Sequence, residues 1–133
     1  MAYTALVVSE LTPGLIQAGE NLVRRLDGSN VPVTAAFWLR SSDEENGWRL
    51  AIVSPEVSDT GTRRFYGKLN EQLRALADAE LNVSHVTALR PDDPTVALLR
   101  TAVHTGPGLS RIRYTRNVIN GTLIPDALIY RMV

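Results

Sequence analysis

Enzymatic or metal chemistry needs a nucleophile, a titratable base or a ligand set, and this sequence is sparing with all three. It contains no cysteine, which excludes disulfides, thiolate nucleophiles, iron–sulfur clusters and cysteine zinc sites. Its only imidazoles are His85 and His104, and neither lies in an H-E-x-x-H pattern or at ligand spacing from a carboxylate. Either would serve a small enzyme as general base if a partner elsewhere in the chain oriented it. No serine stands in a G-x-S-x-G elbow, and neither phosphate-cradling glycine motif is present; Gly106-Pro107-Gly108 follows a helical pattern instead of opening one. The acidic run Asp43-Glu44-Glu45 lacks cation-ligand spacing and reads as a solvated loop. Asp92 and Asp93 stand just before a helical pattern and read as its cap. No metal site and no cofactor is expected.

The remaining chemistry is cationic. All but one of the 14 basic residues are arginine, whose planar fork pairs with carboxylates and phosphates in a way lysine cannot. The net charge is zero, yet residues 1–60 are acidic on balance and residues 61–133 basic. Near the C-terminus, strand alternation sets Arg111, Arg113, Thr115 and Asn117 on one face, with Ile112, Tyr114, Arg116 and Val118 on the other. Together with Arg131 and Tyr130 on the returning strand, Arg111 and Arg113 form a candidate surface for an acidic protein or a polyanion. The competing expectation is that these arginines pair with acids of the chain's own, the 43–45 loop included.

The elements that would position these residues alternate between helical and strand periodicity. Thr12 and Pro13 open a helix reaching Asp27, with Gly28 as its stop and Leu15, Ile16, Leu22, Val23 and Leu26 on one face. Gly14 and Gly19 weaken that helix, so close packing against a neighbour is the reading for them. Two nearly continuous apolar runs, 33–39 and 48–53, flank the acidic loop and predict strands covered on both faces. Trp38 and Trp48 stand near that loop, placed for cross-strand stacking or core packing. Ser58, Asp59 or Thr60 would cap a helix to about Ala77, buried along Phe65, Leu69, Leu73 and Leu76. A strand over 83–89 follows, then a helix from Pro94 to about His104. The chain closes with a hairpin over 111–119 and 123–132 about Asn120-Gly121, the dipeptide of a type I′ turn. Pro125 requires the last strand to be an edge or to bulge.

The fold class is therefore α/β (α+β). A single domain of order α-β-β-α-β-α-β-β would hold a mixed five-stranded sheet packed by three helices, its second and third strands parallel. At 133 residues with 44% hydrophobic and 21% charged side chains, the chain buries a core unaided. The apolar run 5–8 is too short for a membrane span or a secretory core, which predicts a cytoplasmic protein and no membrane partner. The Asn82-Val83-Ser84 sequon is then a chance match. The functional expectation is a non-catalytic interaction or accessory domain that forms a homo-oligomer. An anion or nucleic-acid binder through the arginine hairpin is the alternative, and a small enzyme using His85 or His104 the third.

Overall fold

Thr12 opens the first helix as its side chain predicts, its Oγ1 accepting the Leu15 N–H at 3.1 Å with Pro13 at the first helical position. The computed structural model describes residues 10–40, 47–78 and 80–133, without the side chains of 116, 117 and 125. Helix α1 (Pro13–Gly28) buries Leu15, Ala18, Gly19, Leu22, Val23 and Leu26. Its stop is not Gly28 but Ser29, the C-cap, followed by Asn30 at φ +59. Asparagine is among the few side chains that tolerate this left-handed conformation.

Strands β1 (Ala35–Arg40) and β2 (Trp48–Val53) pair antiparallel in a register that sets Leu39 opposite Arg49 and Phe37 opposite Ala51. Ser58, Asp59 and Thr60 do not cap the next long helix. A one-turn helix, α2 (Glu56–Asp59), begins instead where Ser54 Oγ accepts the Glu56 N–H at 3.1 Å. Gly61, at φ +92, breaks it from α3 (Thr62–Leu76), which buries Phe65, Leu69 and Leu73. The third strand is also shorter than its apolar run. Residues Val83–His85 form a 3₁₀ turn, and β3 (Val86–Leu89) follows, parallel to β2. Asn82 and His85 cap that turn reciprocally, as in an Asn-x-x-Glu capping box with histidine in the glutamate position. Helix α4 (Pro94–Ala102) has the anticipated Asp93 cap, Oδ1 to Thr95 N–H at 2.9 Å, and ends two residues short of His104.

Strands β4 (Ile112–Ile119) and β5 (Thr122–Met132) complete a sheet of order β3-β2-β1-β5-β4. Their turn has both central residues at positive φ, Asn120 at 49° and Gly121 at 80°, as type I′ demands. Strand β5 is an interior strand. Among the described residues the β1 ladder ends at Ala127, so at Pro125 the strand has β4 as its ladder neighbour, an arrangement that tolerates a proline. The bulge falls elsewhere: Ala36 pairs with Arg131 and Phe37 with Ile129, leaving Tyr130 as the extra residue. In consequence Tyr130 and Arg131, adjacent in sequence, both reach α1.

Helices α1 and α3 cover one face of the sheet with Trp38, Trp48, Leu50, Ile52 and Tyr130 beneath them. The other face packs Phe37, Ala51, Val53, Ile129 and Met132 with Val96 and Leu99 of α4. The β3 edge is partly sealed, since the Ala88 N–H donates to Tyr66 Oη at 2.9 Å.

Candidate functional site

The hairpin arginines are held by the protein itself. Arg111 lies against α1, its Nε donating to Glu20 Oε1 at 3.2 Å and its Nη2 to Gln17 Oε1 at 3.0 Å. Burial alone would raise the Glu20 carboxyl, but the hydrogen bonds and charges of Arg111 and Arg24 outweigh it and hold Glu20 below the ordinary range. Arg113 places its guanidinium 5.2 Å from the centroid of the Trp48 ring, a cation–π contact. Trp48 does not pair with Trp38 across the hairpin, because the register sets it opposite Arg40 and sets Trp38 opposite Leu50.

Tyr130 and Arg131 are interior groups. The Tyr130 hydroxyl accepts from Trp38 Nε1 at 2.9 Å and donates to the Ile16 carbonyl at 2.6 Å, and burial pushes its ionisation far above that of a free phenol. Arg131 forks onto Asp27 at 2.9 and 2.8 Å and donates to the Val33 carbonyl at 3.0 Å. Its Nε is buried without a partner. Arg111 and Arg113 thus share a sheet face with Tyr130 and Arg131, but the four do not converge on one accessible surface.

Of the two histidines, His85 is buried and accepts the Asn82 N–H through Nδ1 at 3.4 Å. Desolvation, with the charge of Arg49, lowers its pKa. The accepting Nδ1 fixes the neutral ring with its proton on Nε2, and the hydrogen bond is lost if Nδ1 is protonated. His104 is exposed beyond the end of α4. The acidic run 43–45 lies outside the described residues. Asp92 is exposed and pairs with Arg90 at 3.4 Å.

Two features were not singled out by reading the sequence. The first is the tip of the last hairpin. Among the described residues, the ladder neighbour of 122–126 in β5 is β4, and the tip runs about 17 Å past the last described rung of the β1 ladder at strand spacing. The cross-strand neighbours Val118 and Leu123 are 59% and 46% exposed there.

The second is an open crevice of about 320 Å³ on the α4 side of the sheet, over β1, β2 and β3. The sheet register builds it in rungs: Leu39 beside Arg49, then Phe37 beside Ala51 and Thr87, then Leu89. Asp93 and Thr95, at the start of α4, form the far wall. It exists because α4 has nine residues and leans toward the β4 and β5 side, leaving the other half of this face without a helix among the described residues. No protein-family model, curated protein sequence or solved structure matches this chain.

In the lining of the crevice Asp93 is the acidic residue and Arg49 the basic one. Its Nε donates to Thr87 Oγ1 at 2.8 Å, Nη1 to the Ser84 carbonyl at 3.0 Å and Nη2 to the Val86 carbonyl at 3.3 Å. These acceptors are all neutral, and Arg49 forms no salt bridge among the described residues. Among the described residues no group of three or more His, Asp or Glu side chains is placed to hold a metal ion, and no helix is long and apolar enough to cross a membrane. The crevice offers a fixed cation at one end of an apolar floor and hydroxyl groups on its walls. That is the chemistry of binding an amphiphilic partner.

Proposed function

We propose that this protein is a non-catalytic interaction domain that self-associates, with the tip of the β4–β5 hairpin as its contact surface. The observation that carries the reading is the pair Val118 and Leu123, cross-strand neighbours at the hairpin tip whose large apolar side chains are 59% and 46% exposed. Burying a leucine fully is worth about 1.5–3 kcal/mol, so covering this pair in each of two copies is a substantial driving force for so small a patch. The histidine geometry supports the non-catalytic part, since His85 spends its acceptor nitrogen on capping a turn. The β3 edge is the weaker place for association, because Tyr66 already takes one of its N–H groups.

The test is sedimentation velocity over a range of concentrations. The wild-type protein should sediment above the monomer mass, and Leu123→Asp should return it to monomer without changing its circular dichroism. A wild-type chain that remains monomeric at every concentration tested overturns self-association. A dimer insensitive to Leu123→Asp overturns the hairpin as its surface.

A further inference from the structure

The geometry points to a ligand site that does not depend on self-association: the crevice over β1–β3 binds a carboxylate carried on an unbranched apolar chain, its head group on Arg49. Three features support this. The volume, about 320 Å³, and the mostly apolar lining with a few polar groups at the rim match small-molecule sites. The floor has a direction. From the rung of Arg49 and Leu39 to that of Leu89 is four residues along the strands, about 13 Å, over the side chains of Phe37 and Ala51.

The decisive feature is the state of the guanidinium. Arginine has five N–H donors; three of them on Arg49 hold it to Thr87 Oγ1, the Ser84 carbonyl of the 3₁₀ turn and the Val86 carbonyl of β3, which leaves two. The group is thereby oriented before any ligand arrives, and ordering a long side chain is one of the usual penalties of binding. Its charge has no carboxylate partner among the described residues, unlike those of Arg40, Arg111 and Arg131. At the other end stands Asp93, which caps α4 and repels a second anion. This charge pattern selects one carboxylate in one orientation, with the apolar chain running toward Leu89. A phosphate or a dicarboxylate would meet Asp93 or leave charge over the apolar floor.

The probe is decanoate, at concentrations where it is monomeric, titrated into ¹⁵N-labelled protein and followed by amide chemical shifts, with decanol as the uncharged control. The expected result is saturable shifts at Leu39, Ala51, Thr87 and Leu89, and binding of decanoate about tenfold or more tighter than decanol. Arg49→Gln should abolish that preference. Because Arg49 also ties β2 to β3, a second variant keeps it in place: Ala51→Leu fills the floor and should eliminate the decanoate shifts while Arg49 remains. The proposal is overturned if decanoate and decanol bind the wild-type protein equally. It is equally overturned if the decanoate shifts fail to saturate or lie elsewhere on the molecule, or if Ala51→Leu binds decanoate as the wild type does.

Discussion

Replacing Gly19 by alanine tests the packing of α1 on the sheet with an unusual sign. In an exposed helix interior the change stabilises by about 1 kcal/mol, because glycine carries the larger entropic penalty. Here a Cβ on residue 19 would stand 2.5 Å from Tyr130 Oη, 3.0 Å from Trp38 Nε1 and 3.2 Å from Tyr130 Cε2. The tyrosine cannot swing aside cheaply, since its hydroxyl is held between Trp38 Nε1 at 2.9 Å and the Ile16 carbonyl at 2.6 Å. Overpacking costs about 1–3 kcal/mol, and with a Cβ 2.5 Å from a held oxygen the upper part of that range applies, about 2–3 kcal/mol, which less the helix gain of about 1 is a net loss of about 1–2 kcal/mol. For a domain of this size the melting temperature should fall by about 3–8 °C. The partner variant Tyr130→Phe removes the obstructing oxygen but leaves the Trp38 N–H buried and unpaired, at about 1–3 kcal/mol. In that background Gly19→Ala should cost less than in the wild type, with a coupling of about 1 kcal/mol or more in a double-mutant cycle measured by urea denaturation. A higher melting temperature for Gly19→Ala alone would refute the reasoning, as would two substitutions that simply add.

Two further outcomes follow from the interior polar groups. Asp27→Asn leaves the Arg131 guanidinium, 8% exposed, without its counter-charge; breaking a fully buried pair costs about 3–5 kcal/mol, and with the Asp27 side chain 41% exposed the loss should be nearer to about 2, read by thermal denaturation. For His85 the folded pKa lies below the ordinary histidine value because of burial and the Arg49 charge. The unfolded chain then takes up its proton first, so the stability that neutral His85 provides is present above about pH 6.5 and is lost as pH falls through the folded value. His85→Gln keeps an acceptor for the Asn82 N–H and removes the titration, so its melting temperature should match the wild type at pH 8 and exceed it at pH 5. Equal pH profiles for the two proteins would show that His85 does not titrate on unfolding.

The parts of the fold that can be read from the sequence are those whose physics is local. Thr12-Pro13 and Asp93-Pro94 announce helix starts because a short side chain reaches N–H groups two or three residues on, and Asn120-Gly121 announces its turn because both positions require positive φ. Gly61 is equally local, and its left-handed backbone divides what the apolar spacing alone suggests is one helix. The β5 bulge is different in kind. Nothing near Tyr130 and Arg131 in the chain reveals that both will face α1, because the extra residue is defined only against β1, which lies about ninety residues earlier. Strict alternation therefore gives the wrong neighbours to these two side chains, while it serves Arg111 and Arg113, just before and near the start of β4, whose register with β5 runs without a shift.

The crevice illustrates an intermediate case, legible in principle by accounting for helices instead of strands. Continuous apolar runs in β1 and β2 require cover on both faces, and among the described residues only one helix, α4, lies on the second face. A helix of nine residues rises about 14 Å and is about 10 Å wide, whereas five strands spaced at about 4.8 Å span about 19 Å between the outer strand axes. One such helix cannot cover that width, so part of the face lies outside its cover. Arg49, the one charged residue inside the apolar β2 run, marks which part: it sits on the uncovered side and binds β3 through neutral acceptors. Had α4 leaned the other way, Arg49 would be buried beneath it without a counter-charge, at a penalty of several kcal/mol. The position of a single charge in β2 thus requires α4 to lie over the other side of the sheet, and the crevice is the space that this requirement leaves.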